Sequence, residues 1–349
     1  MNFFLKYIIM VKHIILLAVG SMVLLKYLVL PVHAEDRAQW LQDAKWGVMI
    51  HYQPEWLASE NELEPIDIGE WNRLVDDFDV EGLAKQLNNV GAGYLIMTIR
   101  HGPPFFISPN STYDRYTGQS PSRCSNRDLI ADLADALDQY DIRLIAYILG
   151  QAPGFNDAEI EGFAVGRGDY YRSGPFERNA ESLLRWQEVI REYSMRWGDK
   201  VSGWWIDACY RPNTIYRQPD VPNFASFAAA ARAGNQESIV TFNPGRFPRL
   251  MSITPYEDYT AGEVNEPERL EFKFHHNGKI DGAQIHALSF LGRFWGQGAP
   301  RFDDGEFVNH TLRVNEVGGA FTWDVPVYPN GLIREPFMEQ LRMIGEAAK

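Results

Sequence analysis

The chain has 349 residues, 45% hydrophobic and 13% aromatic, enough to bury a sizeable core in one large domain or two ordinary ones. Its 33 Lys and Arg against 46 Asp and Glu leave a formal net charge of −13 with no basic run, which argues against a nucleic-acid partner. The only cysteines, Cys124 and Cys209, cannot form a disulfide framework and lack the C-x-x-C spacing of metal or redox work, so buried free thiols are expected.

Residues 1–34 read differently from the rest. Lys6 and Lys12 precede the apolar run Ile14–Leu25, and Val32-His33-Ala34 offers a small-x-small cleavage site before Glu35. This is the layout of a secretory signal peptide cut after Ala34, which would make residues 35–349 a secreted or periplasmic protein. Its removal takes three lysines and no acids, so the net charge becomes −16. Lys26 interrupts the apolar stretch, so membrane contact is expected only through an uncleaved N-terminal anchor.

From Glu35 onward, strand-like and helix-like segments alternate. Strand patterns fall at Trp46–His51, Gly93–Arg100, Ile142–Ile148, Val201–Tyr210, Ser238–Phe242, Gln284–Leu291 and Ala320–Val327. The region Leu250–Thr260 is harder to assign and supplies the eighth candidate. Between them lie helix patterns at Val80–Val90, Asn126–Tyr140, Glu181–Trp197, Phe224–Ala233, Phe307–Val317 and Met338–Ala348. The second is the clearest, with Leu129, Leu133, Ala136 and Leu137 on one stripe and aspartates between them. Eight strands interleaved with helices predict a single-domain (β/α)8 TIM-like barrel. A doubly wound sheet would bring a glycine-rich phosphate loop after the first strand, and His51-Tyr52-Gln53-Pro54 is not one.

In such a barrel the chemistry sits at the C-terminal ends of the strands. Those ends read His51, Arg100-His101, Tyr147, Asp207, Asn243 and Trp323-Asp324. Each has an ordinary structural reading by itself: a satisfied core histidine, a hydrogen-bonded tyrosine, a turn-forming asparagine. Together they look like the floor of an active site. The fourth strand, VSGWWIDACY, puts Gly203, Trp205 and Asp207 on one face and Trp204 and Ile206 on the other. A strand-end acid is costly to bury without a partner, and the indole of Trp205 beside it offers a wall for a sugar ring. Asp207 is therefore the candidate catalytic carboxylate. Glycosidic hydrolysis needs a second carboxyl group. The segment Tyr256–Glu271 offers Glu257, Glu263, Glu266, Glu268 and Glu271, and the residues alone do not choose among them.

Several stretches resemble, in order, the glycoside hydrolase family 29 α-L-fucosidases. KWGVMIHYQ (from Lys45) is similar to that family's "KFGiFiHWG", and GAGYLIMTIRHGPPF (Gly91–Phe105) to "GAkYvvlTaKHHDGF". Arg127–Ile148 resembles the following helix and strand. GWWID (Gly203–Asp207) resembles the "lWfD" strand that carries the nucleophile, DYTAGE (Asp258–Glu263) the "DyeTPE" loop, and FWG (Phe294–Gly296) and NGLI (Asn330–Ile333) the end of the catalytic domain. The resemblance implies Asp207 as nucleophile of a retaining mechanism and Glu263 as acid/base, with Glu266 second. His51 and His101 would hold sugar hydroxyls, Trp205 would line the pocket, and Tyr147, at the position of the family's strand-three tyrosine, joins the substrate-binding candidates. Asn243 and Trp323 join the substrate-binding candidates from their strand-end positions.

The sequence departs from the family at the paired histidines "HHD", which become His101-Gly102-Pro103, and Arg100 stands in place of a lysine. The usual "WE" has no counterpart near Gly282-Ala283-Gln284, and the chain as given stops without the β-sandwich many relatives carry. These changes bear on sugar specificity, and Arg100 would suit a carboxylate or sulfate on a modified sugar. Arg167-Gly168-Asp169 is a chance adhesion triplet, and His275, His276 and His286 fit no metal-ligand spacing. The expectation is a cofactor-free exo-acting glycosidase whose partner is an oligo- or polysaccharide. The alternatives are a glycosidase for another sugar and a degenerate barrel that binds carbohydrate without cleaving it.

Overall fold

A computed structural model of the chain describes residues 36–165, 177–272, 275–302 and 305–349. The expected signal segment 1–34 and the triplet Arg167-Gly168-Asp169 lie outside those residues. Seven strands form one parallel sheet: β1 (Trp46–Ile50), β2 (Tyr94–Thr98), β3 (Arg143–Leu149), β4 (Gly203–Asp207), β5 (Ile239–Phe242), β6 (His286–Phe290) and β7 (Ala320–Asp324). Their order is β5-β4-β3-β2-β1-β7-β6, that of a barrel opened between β5 and β6. Every strand except β5 is followed by at least one α-helix, and from β1 to β5 these helices make the crossovers that parallel neighbours require.

Strand alternation divides the buried side chains into two layers. Met49, Ile96, Ile145, Tyr147, Trp205 and Leu288 pack together inside the curved sheet. Val48, Leu95, Trp204, Ile206, Val240 and Trp323 point outward into the larger core beneath the helices. The division of Trp205 from Trp204 and Ile206 follows the period-two reading of the fourth strand. One helix-covered face and one inward face define TIM-like architecture rather than a doubly wound sheet.

The helices begin where side chains can cap their free N–H groups. Asp79 accepts from Gly82 at the start of Val80–Val90, Asp128 from Ala131 at the start of Leu129–Asp138, and Asn179 from Ser182 at the start of Ala180–Trp197. Asp128 is thus a cap rather than part of the helical polar face, so this helix starts three residues later than its sequence pattern. Its buried face includes Leu129, Leu133, Ala136 and Leu137, the expected stripe. Within the described residues, Ala38–Lys349 forms one compact unit, and no helix is long and apolar enough to cross a membrane. Cys124 and Cys209 are both buried and unpaired with each other.

The stretch that resisted assignment is also where the sheet is irregular. Asp258 N–H donates to Val240 at 2.9 Å, while Thr260 and Val264 donate to Gln284 and Leu288, each at 2.9 Å. Gly262 explains why a regular ladder does not form there. Its φ is +66°, and a Cβ at this position would lie 2.1 Å from the His286 carbonyl oxygen. Only glycine accommodates both the backbone geometry and the close approach, and the next residue is Glu263.

Candidate active site

The ends of the strands enclose a cavity of about 250 Å³, lined among others by His51, His101, Tyr147, Trp205, Asp207 and Glu263. Asp207 terminates β4 and is 5% exposed. Its Oδ2 accepts a short hydrogen bond from the Tyr147 hydroxyl, and its Oδ1 accepts from Asn243 Nδ2 at 2.7 Å. His101 Nε2 lies 3.8 Å from Oδ2. The chain leaves β4 through Ala208 at φ 57°, a left-handed conformation costing a non-glycine residue about 1–2 kcal/mol. Such strain is held where surrounding bonds over-determine it, here on the residue following the carboxylate. Burial pushes the Asp207 carboxyl up from its ordinary range, opposed by hydrogen bonds from Tyr147, Asn243 and the Ala208 N–H and by the nearby His51.

Glu263 is the second carboxyl group in the cavity. Its Oε2 accepts from the same Asn243 Nδ2 at 2.5 Å. Two bonds of 2.7 and 2.5 Å from one nitrogen hold the two oxygens within about 5.2 Å of each other. With the amide protons about 120° apart, their separation is about 4.5 Å. Burial first, and then the charge of Asp207, raise Glu263 to about 7, against the opposing effects of Asn243 and Arg246.

The other acids of this segment do not reach the cavity. Glu257 is also raised to about 7 by burial, but protein donors surround it: Phe242 N–H at 2.9 Å, and Ile253 N–H and the Ser252 hydroxyl, each at 2.7 Å. It anchors the end of β5 to the following loop. Glu266, expected as the second choice of acid/base, is instead on the surface, where its half-exposed side chain pairs with Arg269 at 2.7 Å. Glu268 and Glu271 are exposed.

His51 follows β1, and its Nδ1 is 2.7 Å from the Asp324 carboxylate at the end of β7. Asp324 also accepts a short bond from Gly296 N–H. With Nδ1 given to the carboxylate, Nε2 is the nitrogen left for a ligand. The His51 ring packs against Trp56 at 5.1 Å and His101 at 5.4 Å, and Tyr147 stacks on Trp205 at 5.1 Å and 14°. The result is an aromatic-walled pocket with carboxyl and imidazole groups on its floor.

Three substrate-contact expectations are corrected by placement. Trp323 points into the layer under the helices, where it stacks on Phe321 and donates to the Thr311 hydroxyl at 2.9 Å. It shares a strand end with Asp324, and alternation allows only one of the two to face inward. Arg100 is 3% exposed and pairs with the buried Glu159 at 2.8 Å between the rings of Phe106 and Phe155, so its charge is directed away from the cavity. Asn243 does reach the site, but both of its N–H groups are taken by the two carboxyl groups. Trp56, Tyr210, Arg246 and Trp295 line the cavity and were not singled out from the sequence. They lie on helix or loop segments beyond the strand ends, although Trp295 is the centre of the FWG motif. Among the described residues, no three His, Cys, Asp or Glu side chains are grouped to hold a metal ion. His286 lies inside the sheet, bonded to Thr260 and Thr322 and pushed by burial down to about 4.

The sequence matches no protein-family profile and no curated protein. The structure is similar to the endo-fucoidan hydrolases P5AFcnA and MfFcnA4 of glycoside hydrolase family 107, each with a TM-score of 0.65. At 16% identity, 89% of this chain covers 93% of P5AFcnA; at 17% identity, 88% of it spans about half of MfFcnA4 (53%). The Lactobacillus casei α-L-fucosidase AlfC, solved with α-L-fucose, matches with a TM-score of 0.61 and 16% identity over 89% of this chain and 98% of AlfC. The fold is therefore the barrel-type fold of these fucosidase and fucoidan-hydrolase structures.

Proposed function

We propose that the protein is a retaining glycoside hydrolase that removes a terminal α-L-fucosyl or closely related deoxy-sugar residue. The observation that carries this reading is the pair Asp207 and Glu263, bridged by one amide nitrogen in an aromatic-lined cavity. The separation of about 4.5 Å between their bonded oxygens is close to the roughly 5–5.5 Å between nucleophile and acid/base in a retaining enzyme, and well short of the roughly 6.5–9.5 Å of an inverting one. Asp207 attacks the anomeric carbon while Glu263 protonates the departing oxygen. Once Asp207 is esterified, its negative charge is gone and one of the two influences raising Glu263 is removed. Glu263 then becomes the stronger acid, and its carboxylate accepts a proton from the water that releases the sugar.

His51, oriented by Asp324, and His101 are placed to bond sugar hydroxyls, with Trp56, Trp205 and Trp295 against the ring. A cavity of about 250 Å³ suits a single sugar residue, which supports action at a chain end. The similar structures, named for fucosidase and fucoidan hydrolase activity, support fucose or a fucose-containing glycan as substrate. The presence of both carboxyl groups favours catalysis over a degenerate carbohydrate-binding barrel. We read segment 258–264 as the eighth stave that closes the barrel and delivers Glu263 to the site. The N-terminal pattern supports export, testable from the N-terminal residue of the mature protein.

The test is hydrolysis of a panel of 4-nitrophenyl glycosides and fucose-containing oligosaccharides, with the product anomer followed by proton NMR. Release of the α-anomer from an α-L-fucoside supports the reading. Release of the β-anomer contradicts retention, and saturable binding without turnover of any substrate favours the binding protein.

A further inference from the structure

Asn243 was expected to touch the sugar, but its contacts assign it to the carboxyl groups instead. One N–H donates to Asp207 Oδ1 at 2.7 Å and the other to Glu263 Oε2 at 2.5 Å, while its Oδ1 accepts from Gly245 N–H at 3.1 Å. Its backbone is tied to the residues flanking Asp207: the Asn243 N–H donates to Ile206 at 2.7 Å, and its carbonyl accepts from Cys209 N–H at 2.8 Å. The side chain is fully buried. No N–H is left for a ligand, and the same residue fixes both the Asp207 turn and the distance to Glu263.

We propose that Asn243 is a positioning residue that sets the separation of the two carboxyl groups and biases the catalytic proton toward Oε1 of Glu263. This rests on the hydrolase reading of the pair. The hydroxyl oxygen of a neutral carboxyl is a poorer acceptor than its carbonyl oxygen, so the Asn243 N–H on Oε2 favours the form of neutral Glu263 that carries its proton on Oε1. The other groups facing the pair are His51, His101, Tyr147, Tyr210 and Arg246, from the ends of β1 to β4 and the loop after β5. Tyr147 donates to Asp207 Oδ2. Asn243 makes two hydrogen bonds that link the carboxyl groups.

Because an N–H bond favours the carboxylate form, removing it raises both carboxyl groups. In Asn243→Ala, the pH–rate profile of kcat/KM is expected to move as a whole toward alkaline pH by at least half a unit. kcat should fall at least tenfold, with KM changed less than threefold. A residue that held only the sugar would raise KM and leave the limbs of the profile in place. Asn243→Asp, of nearly equal shape, should shift the alkaline limb further, because a third acid replaces the donor. Carboxyl carbon-13 NMR titration of Glu263, assigned with Glu263→Gln, gives a readout that needs no turnover. Unchanged Glu263 titration in a folded Asn243→Ala protein overturns the proposal. A shifted titration in a protein that hydrolyses nothing upholds the linkage and removes the hydrolase reading.

Discussion

Among the described residues, Glu257 and Glu263 are both raised to about 7, and Glu263→Gln distinguishes their roles. A glutamic acid with its ordinary value near 4.5 is protonated in about one molecule in 300 at pH 7, whereas one at about 7 is protonated in about half. Burial beside Asp207 therefore increases the acid-competent fraction by ~150-fold, within the range of ~10²–10⁴ expected for general acid–base assistance. Loss of that proton as pH rises should produce an alkaline limb near pH 7 in kcat/KM. Glu263→Gln should remove this limb and lower kcat/KM by ~10²–10⁴ for a substrate with a sugar leaving group. The loss should be smaller with 4-nitrophenol, which departs with little acid assistance. The assay is a pH–rate profile for both substrate types, with Glu257→Gln run in parallel. A limb near 7 retained in Glu263→Gln and lost in Glu257→Gln would refute the assignment of roles.

Other consequences follow from the same geometry. Asp207→Asn should abolish turnover while preserving the fold, checked by circular dichroism and by loss of at least ~10³-fold in kcat, since no carboxylate remains to attack. Burial holds Glu257 protonated in the folded state well above its unfolded value. This contribution to stability is present below about pH 4.5 and is lost as pH rises through about 7, a change of roughly 3 kcal/mol from one such group. Urea unfolding across that window should show Glu257→Gln with a correspondingly smaller fall in stability. Trp323→Ala should cost about 3–5 kcal/mol of stability with little change in KM of the folded enzyme, whereas Trp205→Ala should raise KM. Asp324→Asn should weaken sugar binding through His51, seen as a KM increase of roughly tenfold or more, because the partner that orients the imidazole is altered.

The course of the sheet was legible because its strands are short apolar runs bounded by Gly, Pro and polar caps. The inward direction of Trp205 and Asp207 followed from simple alternation. The same rule places Trp323 and Asp324 in opposite layers, Trp323 under the helices and Asp324 against His51. Arg100 was misplaced for a different reason. Its partner, Glu159, lies on a six-residue helix in the connection after β3, and no local pattern announces a buried ion pair between distant segments. The separation of Glu263 from Glu257 and Glu266 was likewise beyond periodicity. It depends on an irregular backbone at Gly262 and on a hydrogen bond to Asn243, twenty residues away in the chain. The family likeness selected Glu263, and the three-dimensional contacts supply its physical environment.

The most direct test of the central claim is to trap the glycosyl-enzyme intermediate. The protein would be incubated with 2-deoxy-2-fluoro-fucosyl fluoride, digested, and its peptides sequenced by mass spectrometry. The expected result is one fluoro-sugar esterified to Asp207, with inactivation tracking its formation and no adduct in Asp207→Asn. Inactivation with the sugar on another residue would contradict the assignment of Asp207 as nucleophile.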